Sequence, residues 1–127
     1  MLNPSQADGI KDDPTIRRCI ALAHRWGFGS ITVVNLFAYC TAHPRQLKQV
    51  EHPVGPENDQ TLQNVAAGDA DIWLAWGNWG SLYQRDEAVL ELLMPFRHRL
   101  HCLGRNQTGQ PQHPLYVSRT ACLEPWG

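Results

Sequence analysis

The chain has 127 residues, enough for one domain that buries roughly two thirds of the surface exposed by its unfolded form. Its 11 Lys and Arg residues nearly balance 12 Asp and Glu residues, which excludes the strongly basic surface of a protein that binds DNA through charge. No apolar run reaches the roughly 20 residues of a membrane helix. The 4 cysteines are widely spaced without a CxxC pair, so we expect a soluble, cytoplasmic protein with no membrane partner.

The N-terminal third predicts one helix and one strand. A helix is expected over residues 14–26, with Asp13 as its N-cap, Pro14 at the first helical position and Gly27 at its end. Residues 31–37 are mostly apolar and begin with β-branched side chains, which is typical of a central strand covered on both faces.

The middle of the chain predicts a long loop followed by a helix and a strand. Residues 41–58 are rich in proline and should form a loop with at most a turn of helix near 45–50. A second helix should begin at residues 57–59, where acidic side chains suit the helix dipole. Residues 71–76 should form the next strand.

The C-terminal third predicts a helix over residues 81–99, broken near Pro95, and a short strand over residues 100–103. The alternation of strands and helices predicts an α/β fold: a three-layer sandwich with a mostly parallel central sheet. The strand that would precede Asn3 contains only Met1 and Leu2, so we expect the first strand to be truncated.

Polar residues follow the apolar segments of this predicted sheet. Ligands of open α/β sheets bind beyond the carboxyl ends of the strands, so these residues should converge although they lie far apart in sequence. Asparagine side chains present both a donor and an acceptor, as the recognition of a base edge requires. The predicted site is the crevice lined by Asn3, Ser5, Asn35, Gly77 and His113.

Several short blocks occur in a fixed order along the chain: Leu2-Asn3-Pro4-Ser5, Asp8, Asp12-Asp13-Pro14-Thr15, Val33-Val34-Asn35-Leu36-Phe37-Ala38, Pro53-Val54-Gly55-Pro56-Glu57-Asn58-Asp59, Trp76-Gly77 and Gly109-Gln110-Pro111-Gln112-His113-Pro114-Leu115-Tyr116. Together they resemble domain-of-unknown-function family 1643, an uncharacterised bacterial or phage family. Its members usually begin with an additional segment that supplies the strand before Asn-Pro-Ser.

Four motifs have a looser resemblance to the uracil-DNA glycosylase superfamily: Leu2-Asn3-Pro4-Ser5, Val33-Val34-Asn35, Leu74-Ala75-Trp76-Gly77 and His113-Pro114. This resemblance implies a uracil-DNA glycosylase-like fold, with Asn3 and His113 as catalytic residues and with Ser5, Asn35 and Gly77 in substrate binding. Asn3 would orient a water, Asn35 would bond the base edge, and His113 would stabilise the departing base. A donor fixed at the developing negative charge is worth about 3 kcal/mol.

The chain also departs from the superfamily pattern. Leu115 stands where the superfamily has a serine after His-Pro, and no aspartate occupies the Asn3 position. A general base would therefore have to come from Asp8, Asp12 or Asp13.

Structural interpretations of the same residues remain open. Asn3 and Asn35 can cap strand ends, and Asp12 and Asp13 fit helix capping. His113 can be a loop histidine bonded to a carbonyl, and Trp76 fits the core better than a stacking platform. The Cys and His residues near positions 40–43 and 98–102 do not match zinc frameworks, so we predict no metal and no cofactor.

We expect the protein to recognise a nucleobase, a nucleotide or single-stranded nucleic acid, with hydrolysis of an N-glycosidic bond as the candidate reaction. The alternatives are a non-catalytic binding module and a truncated family member. The sequence does not decide whether the protein is an enzyme, because function lies in the site and not in the fold.

Overall fold

Within the residues that the structure describes, three α-helices and three short strands form the regular structure of this mixed α/β protein. The structure is a computed structural model that describes residues 1–4, 13–118 and 120–127. The elements are α1 (Pro14–Arg25), α2 (Asn58–Ala66), β1 (Ile72–Leu74), α3 (Arg85–Leu93), β2 (Leu100–Cys102) and β3 (Glu124–Pro125). Short 3₁₀ helices cover Pro44–Lys48, Asn78–Gln84, Met94–Arg99 and Pro114–Tyr116.

The sheet is small and mixed, with β2 in its centre. β1 pairs with β2 in parallel, so that Ile72 lies opposite Leu100, and α3 lies in the connection between the two strands. β3 pairs with β2 in the antiparallel direction at the other edge. The two strands predicted at residues 71–76 and 100–103 are therefore confirmed as a parallel pair, and β3 was not predicted.

The prediction of a strand at residues 31–37 is wrong, although part of this segment hydrogen-bonds to the backbone of Met1 and Leu2. The Met1 amine donates to the Val34 carbonyl at 3.1 Å, and the N–H groups of Leu36 and Phe37 donate to the carbonyls of Met1 and Leu2 at 3.0 and 2.9 Å. Because the partner numbers rise together, the two segments run in the same direction. Neither segment forms a regular strand in the described chain.

The helix boundaries follow from capping and from one proline. Asp13 Oδ1 accepts from the N–H groups of Thr15 and Ile16 at 2.8 and 3.2 Å, which confirms Asp13 as the N-cap of α1. The helix predicted over residues 81–99 is divided: α3 is its middle part, and a 3₁₀ helix begins at Met94, next to Pro95. The predicted break near Pro95 is thus confirmed. Its physical cause is that proline lacks a backbone N–H donor and its ring crowds the preceding turn.

The core lies on both sides of β1, because successive strand residues point to opposite faces. Leu74 and Trp76 pack in one apolar cluster with Leu62 of α2 and Val89 of α3. Ala75 packs in a second cluster with Leu22 of α1, where Trp73 also contributes. Buried side chains from helices thus meet both faces of the strand that leads to the predicted site.

Two further observations concern membrane-spanning helices and the cysteines. Within the described ranges, no helix combines the length and the apolar character needed to cross a membrane. All four cysteines, Cys19, Cys40, Cys102 and Cys122, are free thiols.

Candidate functional site

Asn3 ties the N-terminal segment to residues 39–41. Its Nδ2 donates to the carbonyls of Tyr39 and Thr41 at 3.1 and 2.9 Å, and also lies 3.1 Å from the carbonyl of Pro4. The amide nitrogen therefore has a backbone-capping role. Oδ1 is the side-chain atom of Asn3 that can accept a hydrogen bond from water.

Asn35 is held through its backbone, which leaves its side chain available. Asn58 Nδ2 donates to the carbonyls of both Asn35 and Leu36 at 2.9 Å, and Arg85 Nε donates to the same Leu36 carbonyl at 2.8 Å. In the part of the chain that the structure describes, the Asn35 side-chain amide has no hydrogen-bond partner. It lines a cavity of about 60 Å³ together with Trp76.

Arg85 is a buried cation that supports this segment, and its role was not predicted from the sequence. Its side chain is 5% exposed, and its Nη2 lies 2.6 Å from Oδ1 of Asp59, which is 56% exposed. A buried guanidinium requires a paired carboxylate and accepting carbonyls, and Asp59 and Leu36 provide them. Asn58 and Asp59 thus act together with Arg85 to fix the backbone next to Asn35. The only sequence signal was the Glu57-Asn58-Asp59 block, which also fits a helix start.

Trp76 and Gly77 form the turn after β1. Gly77 has a φ of +76° and donates its N–H to the Pro111 carbonyl at 2.9 Å. A Cβ placed at Gly77 would lie 3.4 Å from Cβ of His113. Gly77 therefore supplies a positive φ that residues with a side chain rarely adopt, and a side chain at this position would be in ordinary contact with His113. Trp76 is a core residue, as predicted, and is 3% exposed.

A polar loop closes over this turn. Trp76 Nε1 donates to Gln110 Oε1 at 2.7 Å, and Gln110 Nε2 donates to Asp86 Oδ2 of α3 at 2.8 Å. Asn78 Oδ1 accepts from Asn106 and Thr108 at 2.9 and 2.7 Å. The segment at residues 104–112 is thus fixed by side-chain hydrogen bonds to both ends of the β1–α3 connection.

The hydrogen bonding of His113 determines its tautomer. Nδ1 lies 3.3 Å from the N–H of Leu115 and accepts from it, so the proton of the neutral ring is on Nε2. Burial lowers the pKa of His113, the positive Met1 amine lowers it further, and Asp13 acts in the opposite direction. The ring is therefore a neutral imidazole whose Nε2–H can donate. It bonds a backbone N–H, not a carbonyl as the loop interpretation assumed.

Met1 lies beside the segment that contains Asn35. It pairs with the segment around Asn35, and its amine acts on the pKa of His113, which in turn lies beside Gly77. Burial also lowers the pKa of the Met1 amine, to about 6, while the charge of Cys19 raises it. Ser5, Asp8 and Asp12 lie outside the described residues, and Asp13 is used in capping α1. In the described residues, no group of three or more Cys, His, Asp or Glu side chains is placed to hold a metal ion.

These observations define a mixed α/β protein in which Gly77 follows β1 and lies beside His113, while Asn35 lies in the segment paired with Met1 and Leu2. The chain belongs to the DUF1643 family of proteins of unknown function, to which residues 1–115 match. No curated protein and no solved structure matches the chain. The family membership inferred from the sequence blocks is thus confirmed, and the looser resemblance to the uracil-DNA glycosylase superfamily stays a prediction.

Proposed function

We propose that this protein recognises a nucleobase, carried by a nucleotide or by single-stranded nucleic acid, at the crevice between Asn35 and His113. The observation that carries the proposal is that two polar side-chain groups, the amide of Asn35 and the Nε2–H of His113, are available to hydrogen-bond a ligand. The Asn35 amide has no partner in the described chain, and the His113 ring presents Nε2–H because its Nδ1 is occupied.

The chemistry of these two groups fits a base. An amide side chain donates and accepts in one plane, as the edge of a base does. A neutral imidazole donates to a base carbonyl without adding a charge. In hydrolysis of the base–sugar bond, the leaving base takes the electron pair, the sugar carbon gains the water oxygen, and a proton from that water ends on the base. A donor at the negative charge that develops on the base is worth about 3 kcal/mol.

The cavity beside Asn35 limits where the base can sit. Its volume of about 60 Å³ is far below the roughly 300–1,000 Å³ of ligand pockets. The base would therefore lie outside the cavity, where Asn35 at its lining can reach the base edge. In this position Asn3 would contribute through Oδ1, which can hold a water.

A second candidate is a binding module without turnover. Two observations favour it. The Asn3 amide nitrogen donates to backbone carbonyls, and Asp13, a candidate general base, caps α1. Recognition of the base by Asn35 and His113 is common to both candidates.

The proposal includes a uracil-DNA glycosylase-like, three-layer fold and a cytoplasmic location. The fold is supported by the parallel β1–β2 pair, by the shared direction of residues 1–2 and 34–37, and by helix side chains on both faces of β1. The location is supported by four free cysteines, which are typical of reducing compartments.

Base release and binding test the proposal in one set of samples. Folded protein is incubated with nucleosides, nucleotides and uracil-containing single- and double-stranded oligonucleotides, and free bases are measured by mass spectrometry while binding is measured by calorimetry. An enzyme loses base release in Asn35→Ala and His113→Ala. A module binds without release and loses binding in the same variants.

Matched controls are available on the surface. Asn64→Ala and His98→Ala replace exposed residues of the same two types and should leave both measurements unchanged. Absence of both binding and release from the folded protein would contradict the proposed function.

A further inference from the structure

Tyr116 is an exposed aromatic side chain immediately beside the proposed site. It is 80% exposed, more than any other large hydrophobic residue that the structure describes as exposed. Its ring lies 5.8 Å from that of His113, centroid to centroid, with 50° between the planes. Single exposed apolar residues are common on protein surfaces, so exposure alone carries no function. Contact with His113 distinguishes this one.

The backbone that carries Tyr116 is fixed at both ends. The Tyr116 N–H donates to the His113 carbonyl at 3.0 Å, and Pro114 of the same 3₁₀ helix is buried. Beyond the turn, Arg18 of α1 donates from Nη2 to the Val117 carbonyl at 2.6 Å. The ring is therefore presented to solvent by a well-anchored turn, so that ordering it on binding costs little entropy.

The charge of the protein makes such a ring important for a nucleic-acid ligand. With 11 Lys and Arg residues against 12 Asp and Glu residues, attraction to phosphates contributes little. Stacking on an aromatic ring is the other main source of affinity for unpaired bases, and it tolerates any base because every base has a π face. A base inside a duplex is already stacked and paired, so its face is not available.

We propose that Tyr116 stacks on an unpaired base adjacent to the base held by Asn35 and His113, so that the ligand is a single-stranded oligonucleotide and not a free nucleotide. This inference rests on the proposed function and narrows its ligand. It makes Tyr116 a specificity-determining residue, because it contacts a neighbouring base and not the one recognised at the crevice.

Fluorescence anisotropy tests the inference with a fluorescein-labelled, uracil-containing 12-mer, either single-stranded or annealed to its complement, and with dUMP as a separate ligand in calorimetry. We expect the single strand to bind more tightly than the duplex or dUMP. Tyr116→Ala should weaken single-strand binding by roughly 5- to 150-fold and leave dUMP binding unchanged. Tyr116→Phe should retain single-strand binding.

Tyr83→Ala is the matched control. Tyr83 is 60% exposed and lies beside Lys48 and residues 51–56, in a different part of the surface. Equal single-strand binding by Tyr116→Ala and by Tyr83→Ala would overturn the inference, while binding that still depends on Asn35 would leave the proposed function intact. If the folded wild-type protein binds neither dUMP nor the 12-mer, both fail. Unchanged melting temperatures of the variants confirm that the fold is retained.

Discussion

Gly80 is the position where a single methyl group should do most damage to the site. A Cβ at Gly80 would lie 2.0 Å from Cδ1 and 2.4 Å from Nε1 of Trp76, far inside van der Waals contact. Gly80 has no positive φ, so Gly80→Ala introduces no backbone strain of its own. The indole ring must move, and with it the hydrogen bond from Nε1 to Gln110.

The expected cost combines two effects. Overpacking a close-packed region costs about 1–3 kcal/mol. Leaving the buried indole N–H without a partner costs about another 1–3 kcal/mol. Their combination is a substantial fraction of the roughly 5–15 kcal/mol that stabilises a domain, and it should lower the melting temperature by about 10 °C or more.

Thermal unfolding followed by circular dichroism and tryptophan fluorescence measures this effect. Gly29→Ala is the matched control, because a Cβ at Gly29 has no atom within 4 Å and Gly29 has no positive φ. It should change stability by no more than about 0.5 kcal/mol. If Gly80→Ala and Gly29→Ala melt at the same temperature, the packing described for Trp76 is wrong.

Two further predictions concern charge. Asp59→Asn should destabilise the protein by about 1–2 kcal/mol in urea unfolding, because it removes the carboxylate partner of the buried Arg85 guanidinium while solvent screens part of the loss. Asp69→Asn replaces an exposed carboxylate and should have no effect. A cost equal for the two variants would contradict the role of Arg85. Burial lowers the pKa values of the Met1 amine and of His113 in the folded protein. The unfolded chain therefore binds more protons than the folded chain between about pH 6 and 8. The free energy of unfolding should thus fall as the pH decreases through this range. The Met1 amine contributes at most about 3 kcal/mol to this pH dependence, and acetylating the amine should remove its contribution. The midpoint of urea unfolding measures the effect at each pH. Midpoints that do not change, or that rise as the pH decreases, would contradict the role of the Met1 amine and His113.

Local patterns in the sequence were sufficient for the elements that depend on neighbouring residues. The cap at Asp13, the apolar strands β1 and β2 and the break near Pro95 all result from short-range rules of capping, burial and backbone geometry. The segment at residues 31–37 has an equally strong strand pattern. It does not form a regular strand because a strand depends on pairing as well as on composition, and its backbone hydrogen bonds to Met1 and Leu2 do not form a continuous ladder.

The supports of the site could not be predicted in the same way. Arg85 and the Leu36 carbonyl are 49 positions apart, and Trp76 and Gln110 are 34 apart. No periodicity relates such residues, so their hydrogen bonds become visible only in the folded chain. Gly77 follows β1 and lies beside His113, and Asn35 lies in the segment paired with Met1 and Leu2. The convergence of these residues on one site stays a prediction. Ser5 lies outside the described residues.

Two-dimensional NMR of the ¹⁵N-labelled protein tests the central claim most directly. The Asn35 side-chain amide and the His113 ring nitrogens are followed during titration with a single-stranded 12-mer that carries one uracil, and with the same 12-mer in which that position is abasic. The account predicts that the uracil strand shifts the Asn35 and His113 signals at saturation, that the abasic strand shifts them much less, and that the exposed Asn64 amide does not respond. Signals of Asn35 and His113 that stay unchanged with both strands would contradict recognition of a base at this site.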